Sequence, residues 1–92
     1  MILRFRHKGL ERLFTRGETR GVNARHAARL RRMLLLLSTA TGPLNMDIAG
    51  YRLYRLAGNL KDCWAVSVSG NWRLVFRFEG ENATDVDLMD YH

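Results

Sequence analysis

The sequence holds one cysteine, one proline and three histidines among its 92 residues. A lone Cys63 excludes an internal disulfide framework and fits a reducing compartment. Scattered histidines with a single cysteine give no metal-ligand spacing, so no metal or other cofactor is expected. The longest apolar run, Met33 to Leu37, is far too short to span a membrane. The opening Met1-Ile2-Leu3-Arg4-Phe5-Arg6 lacks the organisation of a signal peptide. These absences lead to the expectation of a cytoplasmic protein with no membrane partner. Repeats, linkers and low-complexity segments are also missing, which leaves one domain over residues 1–92.

Acids are the other shortage. Asp and Glu number 9 against 15 for Lys and Arg, a net charge of +6. Nearly all of that excess is arginine, whose planar fork suits phosphates and stays charged. Nucleic acid or an acidic protein is the natural partner class; a basic surface that keeps the chain in solution is the plainer reading. Hydrophobic residues make up 47%, enough for a globular core.

What is present centres on Cys63 to His92. Runs of β-branched and aromatic residues are separated by Gly/Asn turns, the pattern of an antiparallel meander. Trp64, Val66 and Val68 share one strand face; Trp72, Leu74, Phe76 and Phe78 share one face of the next. A two-residue loop pairs 69 with 72 and sets these groups on opposite faces. A three-residue loop, Ser69-Gly70-Asn71, pairs 68 with 72 and 66 with 74 and brings them together, so the longer loop is expected. With Val86 and Leu88 on the same greasy face, the opposite face receives Arg73, Arg77, Asp85, Asp87, Met89 and Tyr91. A site belongs there.

Upstream, Ile2 to Phe5 reads as a short edge strand. Leu10, Leu13 and Phe14 make the stripe of a helix over Lys8 to Thr15, ended by Gly17. Asn23 caps a second helix, Ala24 to Thr39, with Ala27, Leu30, Leu34 and Leu37 as its core stripe, widened by Met33. Arg25, Arg29 and Arg32, with Arg31 nearby, line another of its faces: a phosphate-facing stripe, or, as the preferred reading, a solvated one. Gly42-Pro43 breaks this helix. Tyr51 to Leu56 reads as a strand with Leu53 inward and Tyr54 on the open face. The fold class is α+β, two N-terminal helices packed on one face of a mostly antiparallel sheet.

Phe5-Arg6-His7-Lys8-Gly9-Leu10, Asn71-Trp72-Arg73 and the closing Asp90-Tyr91-His92 resemble HigB toxins of the RelE/ParE superfamily. The resemblance runs over the whole chain. It implies the compact RelE-like fold and a ribosome-dependent endoribonuclease, an mRNA interferase, that cuts translated mRNA in the A site. It also implies a HigA-like helix-turn-helix antitoxin, which neutralises the toxin and carries it to operator DNA as a complex. Arg73 matches the family arginine at the scissile phosphate, and Asp90, Tyr91 and His92 match the terminal residues needed for activity. Three positions depart: Tyr54 and Ala57 stand where the family often has histidine and lysine, and Ser69 where some members have arginine. Tyr54, Arg55, Lys61 and Arg77 are the candidate RNA-binding residues, the last three as replacement charge.

His92 has the acid–base range that such chemistry uses. Tyr91 is open to acid–base work or to stacking on a base. Arg73 fits a dianionic transition state; the bland alternative is pairing with Asp87 or Asp90. Asp90 would orient His92 or Tyr91. Trp64 and Trp72 are assigned to the core, and Cys63 to an unreactive strand position. Two other activities fit the same fold: an attenuated co-repressor that mainly binds the antitoxin, and a ParE-like gyrase inhibitor. The Asp-Tyr-His close favours the nuclease.

Overall fold

The computed structural model describes residues 1–91. Helix α1 (Lys8–Arg16) starts where the His7 side chain accepts the Leu10 N–H on Nδ1 at 3.1 Å. It ends at Gly17, whose φ of 70° turns its own N–H and that of Glu18 back onto the carbonyls of Leu13 and Arg12. Leu10 and Leu13 are fully buried and Phe14 packs beside them, as the stripe predicts. Helix α2 (Ala24–Thr39) has the expected bounds, with the Asn23 side-chain Oδ1 accepting the Arg25 N–H at 2.9 Å. Leu30, Met33, Leu34 and Leu37 form its buried stripe. Each leucine removed from water contributes about 2 kcal/mol. The first position of that stripe is His26, buried against Trp72, and not Ala27, which is half exposed.

The arginine face of α2 is not simply solvated. Arg25, Arg31 and Arg32 are exposed, but Arg29 donates Nη2 to the carbonyls of Gly50 (2.9 Å) and Ser67 (3.0 Å). Its guanidinium also lies 5.1 Å from the Tyr51 ring centroid. This residue clamps the helix to the sheet.

The sheet runs β1 (Tyr54–Arg55), β2 (Trp64–Ser69), β3 (Trp72–Glu79), β4 (Asn82–Asp90) in that spatial order, all antiparallel. Strand β1 is shorter than the expected Tyr51 to Leu56. The Tyr51 carbonyl does accept from Ser67, but Arg52 takes a φ of 52° and breaks the ladder before Tyr54. Leu53 nonetheless packs on the core, and Tyr54 faces the open side opposite Ala65. Ile2 to Phe5 does lie along the edge, bridged in parallel to β4 at Ala83 and Val86.

The β2–β3 hairpin satisfies both of the registers that the sequence set against each other. Val66 pairs with Leu74 as expected, but Ser69, and not Val68, pairs with Trp72. Val68 is the extra residue of a β-bulge, so the loop is the two-residue Gly70-Asn71 while the apolar sets still meet on one face. Gly70 supplies the positive φ, 55°. A second bulge interrupts β3–β4 between the pairs Val75–Asp87 and Arg77–Thr84. It centres on Asp85, at a φ of 52°. The extra residue lets Ala83 and Val86, three positions apart, both enter the core. All the expected greasy-face residues except Trp72 reach that core, where both helices cover them. Trp72 remains 37% exposed, at the end of the sheet.

At Gly9 and Gly21 the start of α1 crosses the loop before α2 backbone to backbone. A Cβ on Gly9 would overlap the Gly21 carbonyl oxygen. Gly9→Ala gains at most about 1 kcal/mol of helix propensity. The overlap is with main chain and costs more, so we predict a net loss of about 1–3 kcal/mol. A lower urea midpoint with an unchanged slope is the expected result; a raised midpoint would contradict the close packing.

Candidate functional site

Strand pairing sorts the open face of the sheet into rows. Ser67, Arg73 and Met89 make the first; Tyr54, Ala65, Val75 and Asp87 the second. Tyr91 continues the face beyond Met89, its N–H donating to the Asn71 carbonyl at 2.7 Å. Beyond the second row lie Cys63, Arg77 and Asp85. The floor is a small apolar cluster of Leu56, Ala65 and Val75, on which Leu60, Cys63, Met89 and Tyr91 pack.

Arg73 is held by backbone: its Nη1 donates to the carbonyls of Gly70 (2.7 Å) and Trp72 (3.0 Å). Both contacts fall on one nitrogen, so the guanidinium is fixed at the mouth of the hairpin with further N–H donors to offer. Asp87, a suggested partner, sits opposite Val75 and accepts the Leu88 N–H on Oδ1 at 2.8 Å. Tyr91 is half buried with its ring in the apolar cluster; Tyr54 is 36% exposed. Lys61 is exposed, and the exposed Ala57 and Ser69 add no charge to this face.

Three candidates stand apart from this group. Arg55 pairs with Trp64, a core-face position, and alternation directs it to the helix side of the sheet. There its guanidinium lies 6.0 Å from the Trp64 ring centroid, and its Nε donates to the Lys61 carbonyl at 3.2 Å. Asp90 pairs with Trp72, and the same alternation places it on the face opposite Arg73. Arg77 lies on the open face but is engaged by acids, Nε to Asp85 Oδ2 at 2.6 Å and Nη2 to Glu79 Oε2 at 2.9 Å. His92 lies outside the described residues.

The residue that sequence reading underrated is Asp85. It is only 6% exposed, yet it is an ionised carboxylate among arginines. Arg4 donates to its Oδ1 through Nε (2.6 Å) and Nη2, and Arg6 Nε approaches to 3.7 Å. Burial pulls this carboxyl's pKa upward and is the largest single influence. The hydrogen bonds and charges of Arg4 and Arg77 together outweigh it and hold the pKa below the ordinary aspartate value. The same pairing raises Arg77 further. Two signals were available in sequence: Arg4 and Arg6 at strand spacing, and a three-residue step between the apolar Ala83 and Val86. Cys63, below Arg77, has its thiol pKa raised by burial against the opposing pull of Arg6 and Arg77, which disfavours a nucleophilic thiolate.

Because the folded pKa of Asp85 is depressed, its contribution to stability is complete above the unfolded value, about pH 4, and is lost as pH falls through the folded value. Asp85→Asn keeps a side chain that tolerates the left-handed backbone and removes only the charge. We predict a loss of about 1.5–3 kcal/mol at pH 7. The gap between the two proteins should narrow in urea unfolding near pH 3. A gap that is the same at both pH values would contradict the ion-pair account.

No helix among the described residues is long and apolar enough to cross a membrane. The family model described as the RelE-like toxin of type II toxin–antitoxin system HigB matches residues 3–92. A curated relative from Proteus vulgaris, named Endoribonuclease HigB, is 40% identical over 94 aligned positions that cover all of both chains. With the two-helix, four-strand fold already described, these matches place the chain in the HigB-like toxin family, the RelE-like toxins of type II toxin–antitoxin systems.

Proposed function

We propose that this protein is an mRNA interferase, an endoribonuclease that cuts translated mRNA in the ribosomal A site without a metal and is neutralised by an antitoxin. Membership of a type II family implies the antitoxin partner. That the antitoxin is HigA-like, with a helix-turn-helix that carries the complex to operator DNA, and that the toxin acts in the cytoplasm, belong to this proposal. The name of the Proteus vulgaris relative supports the nuclease. The observation that carries it is the setting of Arg73: a guanidinium steered by two carbonyls, on a face whose floor is apolar and whose neighbours are Tyr91 and Tyr54.

The reaction proposed is attack of a 2′-hydroxyl on the adjacent phosphate. It needs a base for the hydroxyl proton, stabilisation of the charge that builds on phosphorus, and an acid for the departing 5′ oxygen. Arg73 offers fixed N–H donors whose benefit grows as that charge develops. Tyr91 presents a ring for stacking, or a hydroxyl for proton transfer, and His92 has the range for the remaining acid–base role. Asp90 leaves β4 on the reverse face, so its part is to position the terminal residues and not to touch the phosphate. Lys61 and Tyr54 supply contacts to the strand on either side. The exposed Ala57, which adds no charge, favours a weaker enzyme and keeps the co-repressor as the second reading.

Induction without antitoxin tests this. Wild type should arrest growth and leave new 5′ ends inside translated codons on ribosome-bound mRNA. Arg73→Ala should lower cleavage by about 10²–10³-fold, and loss of Tyr91 and His92 should abolish it. Arrest without new ends would point to gyrase, and no arrest from folded protein to the co-repressor.

A further inference from the structure

A cavity of about 290 Å³ lies at the end of the sheet on its helix side, away from the Arg73 face. Val22, Trp72 and Leu88 make its apolar walls; Arg20, Asn23, His7 and His26 supply its polar groups beside the Gly21 backbone. None of the described residues that line it is acidic; Asp90, paired with Trp72, is not part of the wall. The Trp72 indole is the one aromatic surface there, and it is exposed. His26, in the first turn of α2, is only 8% exposed, with its ring centroid 6.2 Å from that of Trp72. The His26 ring makes no hydrogen bond with any described residue. A buried polar ring without a partner is costly, so it calls for a partner from outside the chain. His7 accepts the Leu10 N–H on Nδ1, which puts its ring proton on Nε2 as a donor. The sixteen-residue α2 starts at the same cavity, and a helix N-terminus favours negative charge.

We propose that this cavity binds a single nucleotide unit, with its base stacked on Trp72 and its phosphate held by Arg20 at the start of α2. The site is separate from the open face, and the inference does not depend on the nuclease reading. The walls select the body of the ligand. An exposed indole flanked by Val22 and Leu88 takes a flat ring, and such stacking tolerates any base. The donors select its charge. The Arg20 guanidinium offers a phosphate a planar fork, and the helix start adds its own positive end. His7 and His26 are left to meet the ribose or the base edge. The volume lies just below the usual range of small-ligand pockets, about 300–1,000 Å³, so one nucleotide fills it. A carboxylate side chain would answer Arg20 alone; a nucleotide answers Arg20 and the indole in one unit. That unit can belong to an RNA strand or be free, since the same groups recognise both.

NMR titration of the whole protein with AMP tests this. AMP should shift the amides of Val22, His26 and Leu88 and the indole N–H of Trp72. It should bind about tenfold more tightly than adenosine, which lacks the phosphate, and than ribose 5-phosphate, which lacks the base. Arg20→Gln, on an exposed loop, should weaken AMP about tenfold and leave adenosine unchanged. Trp72→Leu should weaken AMP and adenosine alike; the Arg20 variant keeps the test valid if this one is poorly folded. Tighter binding of the trinucleotide ApApA than of AMP, with the same shifts, would support the site and name an RNA strand as its source; the reverse order would support it and name the free nucleotide. Equal affinity for AMP and adenosine, an AMP affinity indifferent to Arg20→Gln, or shifts confined to the Arg73 face would overturn the proposal. So would shifts of these residues by an acidic, leucine-containing peptide and none by AMP, which would assign the cavity to a protein partner.

Discussion

One buried carboxylate ties the sheet to the start of the chain. Asp85 occupies a left-handed bulge and gathers Arg4, Arg6 and Arg77 around it. The bulge gives β4 the extra residue that puts Ala83 and Val86 into the core, and the carboxylate emerges on the other side of the sheet. The Arg4 and Arg6 pairs then lock the N-terminal segment along β4, from which α1 departs. A buried charge is costly unless it is paired, and the arginines answer that cost while they organise the open face.

The basic character of the chain therefore has more than one physical meaning. Arg29 is a helix-to-sheet clamp, Arg55 lies beside Trp64, and Arg4 and Arg77 serve Asp85. Arg73 is oriented by the carbonyls of Gly70 and Trp72, which leaves it the guanidinium best placed to act on a phosphate. Net charge points to a nucleic-acid partner but does not say which arginines meet it; that is decided by what each guanidinium already holds.

Much of this was legible in sequence because periodicity reports which face is buried. Asn23, Gly17, the stripe of α2 and the greasy face of the meander emerged from spacing and residue chemistry, and strand alternation put Arg73, Arg77, Asp87 and Tyr91 together. What was not legible came from single-residue irregularities. A bulge at Val68 satisfies a loop length and a pairing that exclude each other in a regular ladder. Arg52 breaks β1 with a positive φ that nothing in its residue type requires. Arg29 looked like one more exposed helix arginine because its acceptors, Gly50 and Ser67, are main-chain groups distant in sequence. The resemblance pointed to Asp90 with its neighbours, but the register sets it on the reverse side of the sheet.

In the proposed mechanism, side chains of this face carry out the cleavage themselves. The most direct measurement is end-group analysis of RNA cut by purified protein on programmed ribosomes, with the nuclease's dependence on added chelator followed at ribosome-preserving magnesium. Attack by the 2′-hydroxyl predicts a 5′-hydroxyl on the downstream fragment and a 2′,3′-cyclic phosphate, or the 3′-phosphate it opens to, on the upstream one. Both should fall by about 10²–10³-fold in Arg73→Ala. A 5′-phosphate on the downstream fragment, or cleavage that survives Arg73→Ala undiminished, would contradict it.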